Sequence, residues 1–377
     1  MMRHYLDHNA TAPARPEVID EVARVMALPG NASSVHGEGR AVHAIVEDAR
    51  EEVRRLVNAP VNGVVFTSGG TEAIHYALNG STGSIRRVFV SAIEHVAVAA
   101  NAHAAGIDVE TLPALPSGIV DLDWLKARLA DYDVSRDGNF LVCLMLANNE
   151  TGVIQPVSEA ATITHDAGGL LFCDAAQAVG KVPVNFVMLG ADMLGLTGHK
   201  FGGPIGVGAL VAGPNLPLVP VFHGGGHEMN RRAGTTNCAA IAGLGKACAL
   251  SDDSLARSAE IAALRDKIQT AVADAGAIVW GGTEQRLPGT LCFSAPGFSA
   301  ETQVMSMDLA GIAISSGSAC SSGKVNASHV LKAMGASDDQ ALTAIRVSLG
   351  WNSTEEDVAA FIDAWCPTYE RIKARAA

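Results

Sequence analysis

Residues 193–200 read Met193-Leu194-Gly195-Leu196-Thr197-Gly198-His199-Lys200. An apolar run gives way at once to small and polar residues and then to a lysine. Uninterrupted apolar runs suit strands that are covered on both faces, as in parallel or mixed sheets. The same arrangement recurs outward from here. Val64-Val65-Phe66 ends in Thr67-Ser68-Gly69-Gly70-Thr71, and 88–90 ends in Ser91-Ala92-Ile93-Glu94-His95. The run 141–146 ends in Ala147-Asn148-Asn149-Glu150, 170–173 ends in Asp174, and 206–211 follows Lys200. Helical patterns lie between. Within 40–57, Val42, Ile45, Val46, Ala49, Val53, Leu56 and Val57 share one face, with Arg and Glu opposite.

Strands alternating with helices predict a doubly wound α/β architecture with a mostly parallel sheet flanked by helices. Such sheets bind ligands at the carboxyl ends of their strands, where these polar clusters fall. The character changes after about residue 255. A helical stretch over 255–275 leads into strand-like runs at 290–294 and 312–314, and two helices close the chain. The expected division is a large α/β domain over 15–255 and a smaller α+β domain formed by 1–14 plus 256–377.

Composition narrows the classes of function. Of the 377 residues, 48% are hydrophobic and 18% charged, which excludes a disordered chain. A formal net charge of -12 argues against nucleic acid or an anionic membrane as partner, because both call for clustered Lys and Arg. The seven cysteines, at 143, 173, 238, 248, 292, 320 and 366, contain no C-x-x-C pair. That removes the main signal for a zinc ribbon or a dithiol redox site, and no metal is expected. An odd, unpatterned set suits a reducing compartment. With no apolar leader-like segment and no apolar run of about 20 residues, the expectation is a cytoplasmic chain.

Several strand ends carry groups with chemical uses, each of which also has a plain alternative. Gly69-Gly70-Thr71-Glu72, between a strand and a helix, reads as an anion site built from backbone N–H groups, with Thr71 as a helix cap; an ordinary turn would look the same. It lacks the G-K-[ST] ending of a nucleotide P-loop. Lys200 is either a solvated lysine or an amine placed to form a Schiff base. Asp174 is a helix cap or a charge partner for a ligand, with Gln177 three residues on, and His95 has the flat ring needed for stacking. These groups converge from different strand ends, and the plain alternatives do not explain that.

The ordered set YLDHNATAP, GNASSVHGEGR, FTSGGTEA, EHVAV, NNETGVIQP, CDAAQAVGKVP, DMLGLTGHKFGGPIGVGAL, HGGGHEMNRRAGTTN, SSGSAC and IRVSLG resembles the cysteine desulfurases. These are pyridoxal-phosphate enzymes of fold type I, in the class-V aminotransferase group. The resemblance implies that Lys200 carries the cofactor and moves protons at substrate carbons. It implies that Asp174 pairs with the pyridine nitrogen, that His95 stacks on the ring, and that Gln177 and Asn149 address the phenolic oxygen. Thr71, Thr197 and His199 would hold the phosphate, with Gly70 allowing close backbone approach. Thr235 would reach the phosphate of a neighbouring subunit, implying a homodimer, and Arg346, with Asn149, would take the substrate carboxylate side. The chain departs from the family pattern at Ile74-His75, Thr197, His227 and Thr236, and no implied chemical role is lost.

Cys320 lies in 315–323, an almost wholly small and polar stretch that predicts a mobile loop. It reads as an incidental cysteine in a linker or, beside the other motifs, as a nucleophile. The long loop resembles that of the desulfurase group that hands sulfur directly to a scaffold or acceptor protein. The expected reaction takes L-cysteine to L-alanine and leaves a persulfide on Cys320. A selenocysteine lyase, an aminotransferase of the same fold, or a non-catalytic paralogue are the alternatives.

Overall fold

The computed structural model describes residues 3–81, 85–214, 216, 218–316 and 327–376. Among them are twelve strands: β1 (His4–Tyr5), β2 (Val64–Thr67), β3 (Arg87–Ser91), β4 (Asp108–Leu112), β5 (Phe140–Cys143), β6 (Leu170–Asp174), β7 (Met193–Thr197), β8 (Gly208–Ala212), β9 (Ile278–Trp280), β10 (Thr290–Ser294), β11 (Ile312–Ala313) and β12 (Ala344–Ser348).

Seven of them make one sheet in the order β2-β8-β7-β6-β5-β3-β4. All neighbours run parallel except β8, which is antiparallel to both β2 and β7. The mostly parallel sheet expected from the apolar runs is present. Strands β2, β5, β7 and β8 are buried along their length, as helices on both faces require. Pairing of β6 with β7 sets Asp174 opposite Gly195, so Asp174 and the turn that carries Lys200 leave the sheet side by side.

The helix Gly37–Val57 shows how the sequence places a covering layer. His36 caps it by accepting a hydrogen bond from the Gly39 N–H, and Asn58 ends it in the left-handed conformation (φ 49°). Val42, Val46, Ala49, Val53 and Val57 are buried, each of the valines worth roughly 1.5–3 kcal/mol of transfer free energy. The helix lies against Cys238–Ala249, where a Cβ on Gly245 would come within 2.6 Å of Ala49.

The remaining strands form a three-stranded antiparallel sheet, β12-β10-β9, and a two-stranded parallel pair, β1-β11. Leu6, Phe293, Phe298, Phe361, Trp365 and Tyr369 fill a separate core against the helices Ser258–Asp274 and Glu355–Ala376.

Five local expectations are corrected. The apolar run 141–146 is strand only to Cys143. The 255–275 stretch is two helices, Ser251–Ala256 and Ser258–Asp274. Among the described residues three helices, not two, follow β11, with β12 among them; β1, β4, β9 and β12 were not expected as strands. The helix expected to be capped by Thr71 begins at Gly70, with Gly69 at the cap position and no side-chain cap.

Candidate active site

Lys200 ends a short 3-10 turn directly after β7. Its Nζ donates to the backbone carbonyls of Asn9 (2.7 Å) and Ala10 (3.0 Å). Burial lowers its pKa from the usual lysine range to about 8; Arg346 adds to that, while Asp174 and Asp7 oppose it. Desolvation of this kind turns a lysine into a nucleophile near neutral pH.

Asp174, the last residue of β6, accepts from the Ala176 N–H at 2.9 Å. Burial raises its pKa, while His95 and Lys200 favour its charged form. Glu94 is also buried. One of its oxygens accepts from the His95 N–H at 2.8 Å, and the other has no partner among the described residues. Burial, then the charge of Asp174, push Glu94 well up. Of the two carboxyls, Glu94 keeps its proton and Asp174, beside the Lys200 ammonium, is the anion.

His95 caps the helix Val96–Ala104, its Nδ1 accepting from the Ala97 N–H at 3.2 Å. Burial lowers its pKa, so the ring is neutral and its proton sits on Nε2. His199 hydrogen-bonds the Thr11 hydroxyl through Nδ1 at 2.7 Å, and burial brings its pKa down to about 4. Arg346, in β12, donates to the Asn149 carbonyl (2.9 Å) and to Asp7 (2.8 Å); its Nε is buried without a partner among the described residues.

One cavity of about 550 Å³ joins these groups. Gly70, Thr71, His95, Asn149, Asp174, Gln177, Thr197, His199, Lys200 and Arg346 all line it. Its glycine end is open in a telling way. Gly69 sits at φ 153°, ψ -174°, a region only glycine adopts without strain. A Cβ built there would meet only the Thr197 hydroxyl, 3.8 Å away. The first turn of the helix Gly70–Gly80 faces this space with backbone N–H groups that have no intrahelical acceptor.

These features fit pyridoxal phosphate. The anion cradle at Gly69–Thr71, a low-pKa lysine and an ionised carboxylate occupy one cavity, matching the group's phosphate, aldehyde and pyridine nitrogen. Two expected site residues are not brought together with the rest. Thr235 lines a different cavity, beside Phe66, Ser68 and Arg232. Cys320 lies outside the described residues.

Sequence reasoning missed Asp7, Asn9, Ala10 and Lys181. Asn9 is buried and holds its neighbours on every side. It donates to Thr290 (2.9 Å) and the Asn149 carbonyl (3.2 Å), and its own carbonyl accepts from Gln177 (2.9 Å) and Lys200. The signal for Asp7, Asn9 and Ala10 was the polar run inside YLDHNATAP, which a scan for strand ends passes over, whereas Lys181 follows Gln177 by four residues in CDAAQAVGKVP. Among the described residues, no cluster of His, Cys, Asp or Glu could hold a metal, and no helix is long and apolar enough to cross a membrane.

Comparison with known proteins agrees with this geometry. The profile of the class-V aminotransferases matches residues 4–361. The cysteine desulfurase IscS of Dictyoglomus turgidum is 35% identical, with 98% of this chain and 95% of the relative covered. A cysteine desulfurase of Cereibacter sphaeroides is 38% identical, with 99% and 97% covered. The X-ray structure of a NifS-like protein from Rickettsia africae superposes with a TM-score of 0.89 at 30% identity, covering 98% of this chain and 100% of the other. A structure of SspA in complex with cysteine gives 0.80 at 27% identity, covering 92% and 99%. The chain belongs to the class-V aminotransferase family of pyridoxal-phosphate enzymes and, within it, to the cysteine desulfurases.

Proposed function

We propose that this chain converts L-cysteine to L-alanine and passes the sulfur, as a persulfide on Cys320, to an acceptor or scaffold protein. The observation that carries the reading is the Lys200 amine, shifted to about 8, in one cavity with Asp174 and Arg346.

When bound, pyridoxal phosphate supplies a sink for the electron pair left on the substrate Cα. The rest falls to the chain's own residues. Lys200 holds the cofactor, then takes and returns the proton at Cα. Asp174, as the anion of its carboxyl pair, faces the pyridine nitrogen. His95 offers its ring face and a proton on Nε2. Gly70, Thr71, Thr197 and His199 hold the phosphate, and Gln177 and Asn149 lie on the phenolic side. Arg346 presents a planar guanidinium, with Nε unspent, to the planar substrate carboxylate. The Cys320 thiolate takes the substrate sulfur as the Cβ–S bond breaks, and a proton replaces that sulfur on Cβ, so cysteine and thiol become alanine and persulfide.

Thr235 lines a separate cavity in a single chain, which supports a homodimer in which it serves the neighbouring phosphate. The unpatterned cysteines support a reducing compartment such as the cytoplasm. The test is alanine formation from L-cysteine without added keto acid, with mass spectrometry of Cys320. Alanine and a mass gain of one sulfur on Cys320 are expected, and both are lost in Cys320→Ala. A Cys320→Ala variant that releases sulfide at the wild-type rate refutes the mechanism, and amino transfer that requires a keto acid points to an aminotransferase.

A further inference from the structure

We infer that Lys181 is a positioning residue for this site: it fixes the Gln177 amide so that only N–H, never the carbonyl oxygen, faces the cofactor cavity. The inference rests on the function proposed above.

Lys181 Nζ lies 2.8 Å from Gln177 Oε1 and 2.8 Å from Asn9 Oδ1. A lysine head donates and offers these groups nothing to donate to, so both amide atoms it meets must be oxygens. That settles which end of each amide points where. Gln177 Nε2 then gives one hydrogen to the Asn9 carbonyl at 2.9 Å and has its second left for the cavity that Gln177 lines. Asn9 cannot turn to release this arrangement. Its Nδ2 is committed to Thr290 and the Asn149 carbonyl, and its backbone N–H to the Ser348 hydroxyl at 3.0 Å. Burial pushes the Lys181 amine well below its usual range, and whatever its charge the Asn9 carbonyl can only accept, which independently turns Gln177 Nε2 toward Asn9 and Oε1 toward Lys181.

The Asn9 carbonyl also accepts from Lys200 Nζ at 2.7 Å, so Gln177 and Lys200 are immediate neighbours. In pyridoxal phosphate the phenolic oxygen is attached next to the aldehyde carbon that a lysine engages. Gln177 is therefore the group beside that oxygen. An N–H there stabilises the phenolate, whereas an amide oxygen would repel it. With the donor held in place, the proton shared between the Lys200 nitrogen and the phenolic oxygen is lost at a lower pH.

The experiment is a pH titration of the visible absorbance of the cofactor-loaded protein: wild type, Lys181→Met, Gln177→Leu and the double variant. Asp174, His95, His199, Lys200 and Arg346 line the cavity, Asp7 pairs with Arg346, His8 lies beside Lys181, and all are retained. The midpoint is expected to rise by about one pH unit in Lys181→Met, the scale of one hydrogen bond to a charged acceptor. It should rise similarly in Gln177→Leu, and no further in the double variant, because both act through one contact. If Lys181→Met does not fold, Lys181→Gln takes its place: its own carbonyl lets the Gln177 amide reverse, so the same rise is expected. A Lys181 variant that titrates with the wild type overturns the role of Lys181 alone. A wild type that takes up no cofactor overturns the reading of the site itself.

Discussion

The lowered pKa of Lys200 makes a quantitative demand on the cofactor-free protein. A lysine at its ordinary 10.5 is about one part in a thousand free amine at about pH 7.5, whereas one at about 8 is about a quarter free. Cofactor capture near neutral pH should then be on the order of 200-fold faster than an exposed lysine allows, if intrinsic nucleophilicity is equal. The assay is the initial rise of visible absorbance after mixing cofactor-free protein with pyridoxal phosphate across the neutral and alkaline range. A simple alkylamine run in parallel removes the cofactor's own titration. The rate should climb with pH and level off above about 8, because the free amine is the reacting form. Arg346 is the second contributor to the lowering, so Arg346→Met should move the midpoint upward. A midpoint at or above the ordinary lysine value would refute the reasoning, since burial would then not dominate at Lys200.

Gly69→Ala is expected to cost about 1–3 kcal/mol from its φ of 153°, lowering the melting temperature, and to weaken cofactor retention measured by gel filtration. Arg346→Leu should raise KM for cysteine and lower kcat/KM by about 10- to 100-fold, the worth of one charge-assisted hydrogen bond, in a steady-state alanine assay. Lys200→Met should melt higher than the wild type when both are cofactor-free. The folded-state pKa of Lys200 is depressed, so its protonation penalises folding fully below about pH 8, and the penalty fades as pH rises toward 10.5. The gap in melting temperature should therefore close in that window, and a gap independent of pH would count against it.

What could be read from sequence follows from how each element is buried. Strands β2, β3, β5, β6, β7 and β8 are covered on both faces and announce themselves as apolar runs. β4 is the edge of the large sheet, with only Leu112 fully buried in Asp-Val-Glu-Thr-Leu, and it left no such run. β12 is fully buried but is interrupted by Arg346, whose charge is tolerated there because Asp7 and the Asn149 carbonyl receive it. Lys200, Asp174 and Thr197 were legible because each ends or follows an apolar strand. Asn9 and Lys181 were not, because the contacts that tie them into the site, Asn9 to Thr290 and Lys181 to Asn9, span more than a hundred positions, which no local pattern encodes. Thr71 was misjudged because a cap was read from residue type, while Gly69 turned the corner two residues earlier.

The union of β1 with β11 has a temporal consequence. His4 and Tyr5 pair with Ile312 and Ala313, Asp7 reaches Arg346, and the Trp351 indole N–H donates to Pro13. The carbonyls that hold Lys200 belong to this same N-terminal segment. During synthesis at roughly 5–20 residues per second, those first residues must wait on the order of half a minute for their partners to emerge. The strands of the sheet β2-β8-β7-β6-β5-β3-β4 have all been synthesised by Ala212, long before. The pocket is thus assembled last, by contacts of very long sequence separation that are slow to close. A nascent chain stalled before residue 346 would carry a finished sheet and an unfinished pocket, and a quality-control protease would meet its N-terminal arm unpaired.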